Sequence, residues 1–114
     1  MTDCLFCKIV AGKIPANEVY RDDDVVAFRD ISPQAPKHLL IIPTEHVATL
    51  NDFDQAHQMV LGKMLLTAQK LAKAEGFADS GYRTVINCNQ DGGQTVYHTH
   101  MHVLGGRAMK WPPG

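Results

Sequence analysis

Only one stretch of this 114-residue chain repeats its apolar side chains at helical spacing. Between about Asp54 and Glu75, the residues Val60, Leu61, Met64, Leu65, Ala68, Leu71 and Ala72 recur at intervals that gather onto one helix face. Gly76 supplies a stop. The other apolar runs are short. Glu18–Arg21 and Val25–Arg29 flank the turn Asp22-Asp23-Asp24 and predict a hairpin. Lys37 to Ile42 predicts a strand ended by Pro43. Tyr82 to Cys88 predicts another, and Val96 to Leu104 a last one stopped by Gly105-Gly106. Cys4 to Ala11 fits one or two helical turns ended by Gly12. Ile31 to Pro36 holds two prolines and predicts a loop that shapes a pocket. Strands adjacent in sequence pair antiparallel through short turns. The expected class is therefore α+β, with one long helix, a short N-terminal helix and an antiparallel sheet of about five strands.

One domain over residues 1–114 is expected from this length. The apolar fraction of 45% and charged fraction of 20% suit a packed core rather than a disordered chain. Eleven basic against 12 acidic side chains give a net charge of -1, with no Lys/Arg stripe, so a nucleic-acid partner is not expected. The N-terminus lacks a basic segment followed by an apolar run. Leu39 to Pro43, the longest apolar run, is too short to cross a bilayer. No membrane partner and a cytoplasmic location are expected. The three cysteines are an odd count, which argues against a closed disulfide framework. Cys4 and Cys7 form a Cys-x-x-Cys pair, read as metal-binding or redox-active in a reducing compartment. Cys88 lies in an apolar run and reads as a small buried hydrophobe.

The chemistry points to His98-Thr99-His100-Met101-His102-Val103-Leu104. On a strand, alternate side chains share a face, roughly 7 Å apart. His98, His100 and His102 would then line one face, with Tyr97, Thr99, Met101 and Val103 turned mostly to the core. A single histidine is ordinarily a solvated or hydrogen-bonded side chain, but three in register are not. Two functional readings remain open at this point. His-x-His on a strand can supply zinc ligands. Alternatively, a neutral imidazole aimed by a neighbouring acceptor is a nucleophile at pH 7. The preceding Gly92-Gly93-Gln94-Thr95 offers unobstructed backbone N–H groups, which can form an anion nest. A nest beside an imidazole suits attack on phosphorus.

At these residues the chain resembles the histidine triad family, whose pattern is His-φ-His-φ-His-φ-φ with φ apolar; Thr99 is the one departure. Asp30-Ile31-Ser32-Pro33-Gln34-Ala35-Pro36-Lys37-His38, Gly92-Gly93-Gln94, Gly105-Gly106-Arg107 and Trp111-Pro112-Pro113-Gly114 extend the resemblance to the histidine triad nucleotide-binding branch. Nearly the whole chain is covered.

The resemblance implies a homodimer with two five-stranded sheets joined edge to edge. It also implies hydrolysis of purine nucleoside phosphoramidates, such as an adenylyl-lysine, to the nucleoside monophosphate. His100 matches the nucleophile that carries a nucleotidyl intermediate. His102 matches a contact to the phosphate or leaving group, and His38 a fourth family histidine close by. Asp30 matches the acceptor for ribose hydroxyls, Phe6 and Ile31 the walls of the base slot, and Asn87, Gly93 and Thr95 the phosphate-side contacts. Cys4, Cys7, His46 and His98 resemble the set that holds a structural zinc in some members. Such a site would commit His98 to the metal rather than to proton transfer. The rival readings are a zinc hydrolase on His98, His100 and His102, a dinucleoside polyphosphate hydrolase of the same family, and a non-catalytic nucleotide-binding scaffold. His57 has no partner in these patterns and is read as a solvated helix-face residue.

Overall fold

The computed structural model describes residues 3–114. Its elements are α1 (Leu5–Val10), β1 (Glu18–Arg21), β2 (Val25–Arg29), β3 (Lys37–Pro43), α2 (Gln58–Ala74), β4 (Tyr82–Ile86), α3 (Asn89–Gly92) and β5 (Met101–Gly105). The strands form one antiparallel sheet in the order β1-β2-β3-β5-β4. The last strand is thus inserted between β3 and β4, which gives it, and His102 on it, a paired neighbour on each side.

The β1–β2 hairpin is closed by Asp22, whose Oδ1 accepts the Asp24 and Val25 backbone N–H groups. β2 and β3 are buried on both faces, and their alternation divides the core. Val25, Ala27, Leu39, Ile41, Met101 and Val103 face α2, meeting Met64, Ala68, Leu71 and Ala72. Val26, Phe28, Leu40 and Ile42 face the other way, against Phe6 and Ile9 of α1. His38 and His102 share the parity of that second face.

The long helix starts later than its apolar spacing suggests. Two 3-10 turns, Leu50–Asp52 and Gln55–His57, precede Gln58, each with a capping box that reciprocally satisfies its first N–H groups. Leu65 of the expected stripe is exposed, whereas the other six positions pack on the core. Helix α2 ends in a Schellman arrangement: Phe77 N–H donates to Ala72 O, Gly76 N–H donates to Lys73 O, and Gly76 sits at φ 84°. Phe77 then tucks its ring into the core.

Three local expectations are corrected. The last strand begins at Met101, not Val96, because Thr99 N–H leaves the sheet register to bond Val47 O at 2.7 Å. Tyr97 is 46% exposed rather than core-facing. Cys88 is half-buried and caps α3 instead of continuing β4.

Candidate active site

A cavity of about 300 Å³ opens on the α1 face of the sheet, a size suited to a small organic ligand. Its apolar part is built by Phe6, Ile9, Ile14, Phe28 and Leu40, with Ile31 fully exposed at the rim. Asp30, Thr95, His100 and His102 supply polar groups. Of the sequence candidates, Phe6, Asp30, Ile31, Thr95, His100 and His102 therefore converge. Ile9, Ile14, Phe28 and Leu40 gave no separate signal, because an apolar residue lining a slot and one filling a core look alike in sequence.

Asn87 and Gly93 lie outside this lining. The Gly93 and Gln94 N–H groups are donated to Gln90 O and Asn89 O at the end of α3, so the expected anion nest is not formed from them. In sequence Gln94 enters only as part of the expected nest and of the Gly92-Gly93-Gln94 resemblance. Its buried side chain instead holds three strands of loop together, accepting from Asn89 N and donating to Ala48 O and Val96 O.

The three triad histidines do not share one strand face. Only His102 lies on β5. His98 is fully buried and turned towards α1, where its Nδ1 lies 3.4 Å from Cys4 Sγ and 3.6 Å from Cys7 Sγ. His98 Nε2–H donates to Pro43 O at 2.8 Å. His100 Nδ1–H donates to the carbonyl of His98, also at 2.8 Å. With that proton fixed on Nδ1, the neutral ring keeps its lone pair on Nε2. The Phe6 ring stands edge-on to His100, centroids 5.2 Å apart.

β-sheet register explains the fourth histidine. His38 pairs with Leu104, and Leu40 with His102, so His38 and His102 are diagonal neighbours on one face. Their rings meet at 2.9 Å, His38 Nε2 to His102 Nδ1. Gln34 N–H donates to His38 Nδ1 at 3.0 Å. That assignment places the neutral His38 proton on Nε2, from where it is donated to His102 Nδ1. The neutral His102 must then carry its own proton on Nε2. Burial lowers the His38 pKa, against the raising effect of Asp30. Burial, followed by the neighbouring His100 and His38, lowers His102 to about 4. Burial also lowers His98.

Among the described residues, two side-chain groups have ligand atoms close enough for one metal ion. Cys4, Cys7, His46 and His98 form the first, and Asp30, His38 and His102 the second. The first fits a tetrahedral ion. Bond lengths of about 2.3 Å to sulfur and 2.0 Å to nitrogen imply ligand edges of roughly 3.5 Å. The sulfur–nitrogen edges here are 3.2, 3.4 and 3.6 Å. His98 is also oriented by its outer nitrogen, as metal-binding imidazoles are. The second group does not fit. Its His38 Nε2 holds a proton, and moving that proton to Nδ1 would oppose the Gln34 N–H. His98, His100 and His102 form no common ligand group among the described residues, which removes the zinc-hydrolase arrangement expected as a rival.

His57 is not simply solvated. It lies between Asp54 and Glu45, with its ring against Phe53, and the two carboxylates raise its pKa, Glu45 foremost. No helix among the described residues is long and apolar enough to cross a membrane.

Comparison with known proteins agrees with this geometry. The HIT domain model matches residues 11–109. The purine nucleoside phosphoramidase of Escherichia coli (strain K12) is 52% identical over 107 residues, covering 94% of this chain and 90% of that protein. A HIT family hydrolase from Legionella pneumophila Philadelphia 1 superposes with a TM-score of 0.96 at 58% identity, covering 97% of this chain and 99% of that one. A zinc-bound histidine triad family protein from Mycobacterium smegmatis superposes with a TM-score of 0.81 at 32% identity, covering 91% of this chain and 75% of that one. With its five-stranded sheet, its cavity and its histidine segment, the chain belongs to the HIT domain family of hydrolases.

Proposed function

We propose that the protein hydrolyses the P–N bond of purine nucleoside phosphoramidates through a nucleotidyl intermediate on His100. The observation that carries this reading is the His100 Nδ1–H bond to His98 O, on a ring that lines the cavity. It leaves Nε2 as the one unprotonated ring nitrogen of that side chain. The apolar slot of Phe6, Ile9, Phe28 and Leu40 accepts a flat base. Asp30 can accept from both ribose hydroxyls, since a carboxylate has lone pairs on two oxygens.

His100 Nε2 attacks phosphorus, and the P–N bond breaks. The departing nitrogen takes a proton from water at the cavity mouth and leaves as the amine. The new bond places positive charge on the His100 ring, which the His98 carbonyl stabilises through Nδ1–H. Water then attacks phosphorus, the P–Nε2 bond breaks, and the nucleoside monophosphate leaves as the water's second proton passes to solvent. This is two-step covalent catalysis. His102 offers a neutral Nε2–H to a phosphoryl oxygen, stabilising charge that develops there. His38 holds His102 in that tautomer. Of the expected phosphate-side residues Asn87, Gly93 and Thr95, Thr95 lines the cavity and keeps that role in this reading, whereas the Gly93 N–H is already donated to Gln90 O.

Zinc on Cys4, Cys7, His46 and His98 would supply structural cross-linking and no chemistry, since four protein ligands leave no open position. That role removes His98 from proton transfer and gives it to the support of His100. The reading also includes a homodimer of single domains over 1–114, in the cytoplasm. Exposed Met59 and Leu66 on α2, at 86% and 63%, and the unpaired edge of β4 support the dimer.

The deciding experiment is mass spectrometry of the protein quenched during turnover of an adenosine phosphoramidate. A nucleotidyl adduct on His100 is expected, together with loss of turnover in His100→Ala. An adduct elsewhere, or normal turnover in that variant, rejects the mechanism.

A further inference from the structure

The Gly105-Gly106-Arg107 motif has no part in the cavity, yet each of its residues meets a specific neighbour. A Cβ at Gly105 would lie 2.4 Å from the Phe77 ring. Gly106, at φ +88°, lies so close to the loop after β2 that a Cβ would stand 2.9 Å from Pro36 Cβ. Arg107 is exposed, but its Nε–H donates to Gln34 O at 3.0 Å and its Nη1 to Ala108 O at 3.1 Å. The end of β5 thus clamps the loop that carries Gln34.

That loop needs a clamp. Residues 31–36 make no backbone–backbone hydrogen bond among the described residues. Their internal ties are Ser32 N–H to Asp30 Oδ1 and the Gln34 side chain to Ser32 O. The orientation of Gln34 nevertheless bears directly on the histidine relay: its N–H keeps the proton off His38 Nδ1, while Asp30 Oδ2, 3.4 Å from His38 Nε2, favours the same tautomer from the other side of the ring. If Gln34 turns away, His38 can hold its proton on Nδ1 and present a lone pair to His102. His102 must then place its proton on Nδ1. Its Nε2 would face the bound phosphate as an acceptor, and two electron-rich groups would repel.

We infer that Arg107 is a positioning residue, which anchors the Gln34 carbonyl, restrains the neighbouring Gln34 N–H across their shared Cα, and so makes His102 present an N–H, rather than a lone pair, to the phosphoryl group. It acts through Gln34 and His38 and touches no substrate atom. Its effect on rate rests on the proposed role of His102; its effect on the tautomers does not.

Two variants isolate the hydrogen bond from the charge. Arg107→Met keeps the length of the stem and has no donor. Arg107→Gln has an amide nitrogen on the same atom of the stem as the Arg Nε. Both remove the charge. Long-range 1H–15N spectra of the full chain without nucleotide report ring tautomers directly. In the wild type and Arg107→Gln, His38 and His102 are expected as single Nε2–H tautomers. In Arg107→Met, both are expected as mixtures. On an adenosine phosphoramidate, kcat should fall about tenfold in Arg107→Met, less than the roughly 10²–10³ lost when such a donor is removed outright, because part of the population keeps the His102 Nε2–H, and by less than about twofold in Arg107→Gln. Single tautomers in Arg107→Met overturn the inference, as does an equal response of the two variants. If the wild type hydrolyses no phosphoramidate, the proposed function fails and the spectra still decide the role of Arg107.

Discussion

The backbone carbonyl of His98 accepts the Nδ1–H of His100 at 2.8 Å, while the ring of His98 faces the Cys4–Cys7 pair. One residue therefore joins the N-terminal helix to the imidazole that lines the cavity. Displacing the His98 ring shifts its carbonyl, and with it the aim of His100. Phe6 lies on the same helix as Cys7, so the cavity wall moves too.

Without the proposed zinc, His98 Nε2–H still bonds Pro43 O and keeps His98 in place, whereas Phe6 on α1 is freed, so metal removal should weaken nucleotide binding more than it alters the chemical step. Exhaustive chelation, or the pair Cys4→Ser and Cys7→Ser, is expected to lower the melting temperature by roughly 8 °C, equivalent to about 2 kcal/mol. Turnover should persist with a raised KM. Calorimetry and steady-state kinetics on the same sample check both statements, and a complete loss of kcat with the fold intact would contradict them.

The pH dependence follows from the histidines held neutral. In the unfolded chain a histidine takes up a proton near 6.5. Folded His102 does so only at about 4, and His38 and His98 are lowered in the same direction. Between these values the unfolded state binds more protons, so stability falls as pH drops from about 6.5 towards 4. The urea midpoint should be lower at pH 5 than at pH 7, and the His102 ring resonances should titrate near pH 4 rather than 6.5.

Thr99 carries the one buried side-chain oxygen without a hydrogen-bond partner among the described residues. Valine has nearly the same shape and no hydroxyl to desolvate. Thr99→Val is expected to raise stability by about 1 kcal/mol, read by chemical denaturation, with turnover unchanged.

Gly105 tests the packing of the β5 turn independently of Arg107. A methyl group there would penetrate the Phe77 ring, which is buried and cannot swing aside. Gly105→Ala should destabilise the protein by about 2 kcal/mol. An unchanged denaturation midpoint would show that the turn relaxes freely.

Much of this architecture is legible from local pattern. The hairpin strands Glu18–Arg21 and Val25–Arg29 have the expected bounds, because alternation and an Asp turn are local signals. The end of α2 at Gly76 is legible for the same reason. The start of α2 is not legible, since 3-10 turns and α-helix share their first polar caps. The start of the last strand is hidden in sequence, because Val96 to His100 have strand-like composition and the distant Val47 carbonyl pulls Thr99 out of register.

Residue chemistry is likewise legible in sequence: three histidines and a carboxylate around the cavity, two cysteines and two histidines suited to a metal. What each imidazole can do was decided by tertiary structure. The proton sits on Nδ1 of His100 and on Nε2 of His98 because of carbonyls at His98 and Pro43, and on Nε2 of His38 because of the Gln34 N–H. Sequence fixes which groups titrate, but a neutral ring has one proton and two nitrogens. Which nitrogen keeps it depends on partners that the folded backbone alone brings within 3 Å.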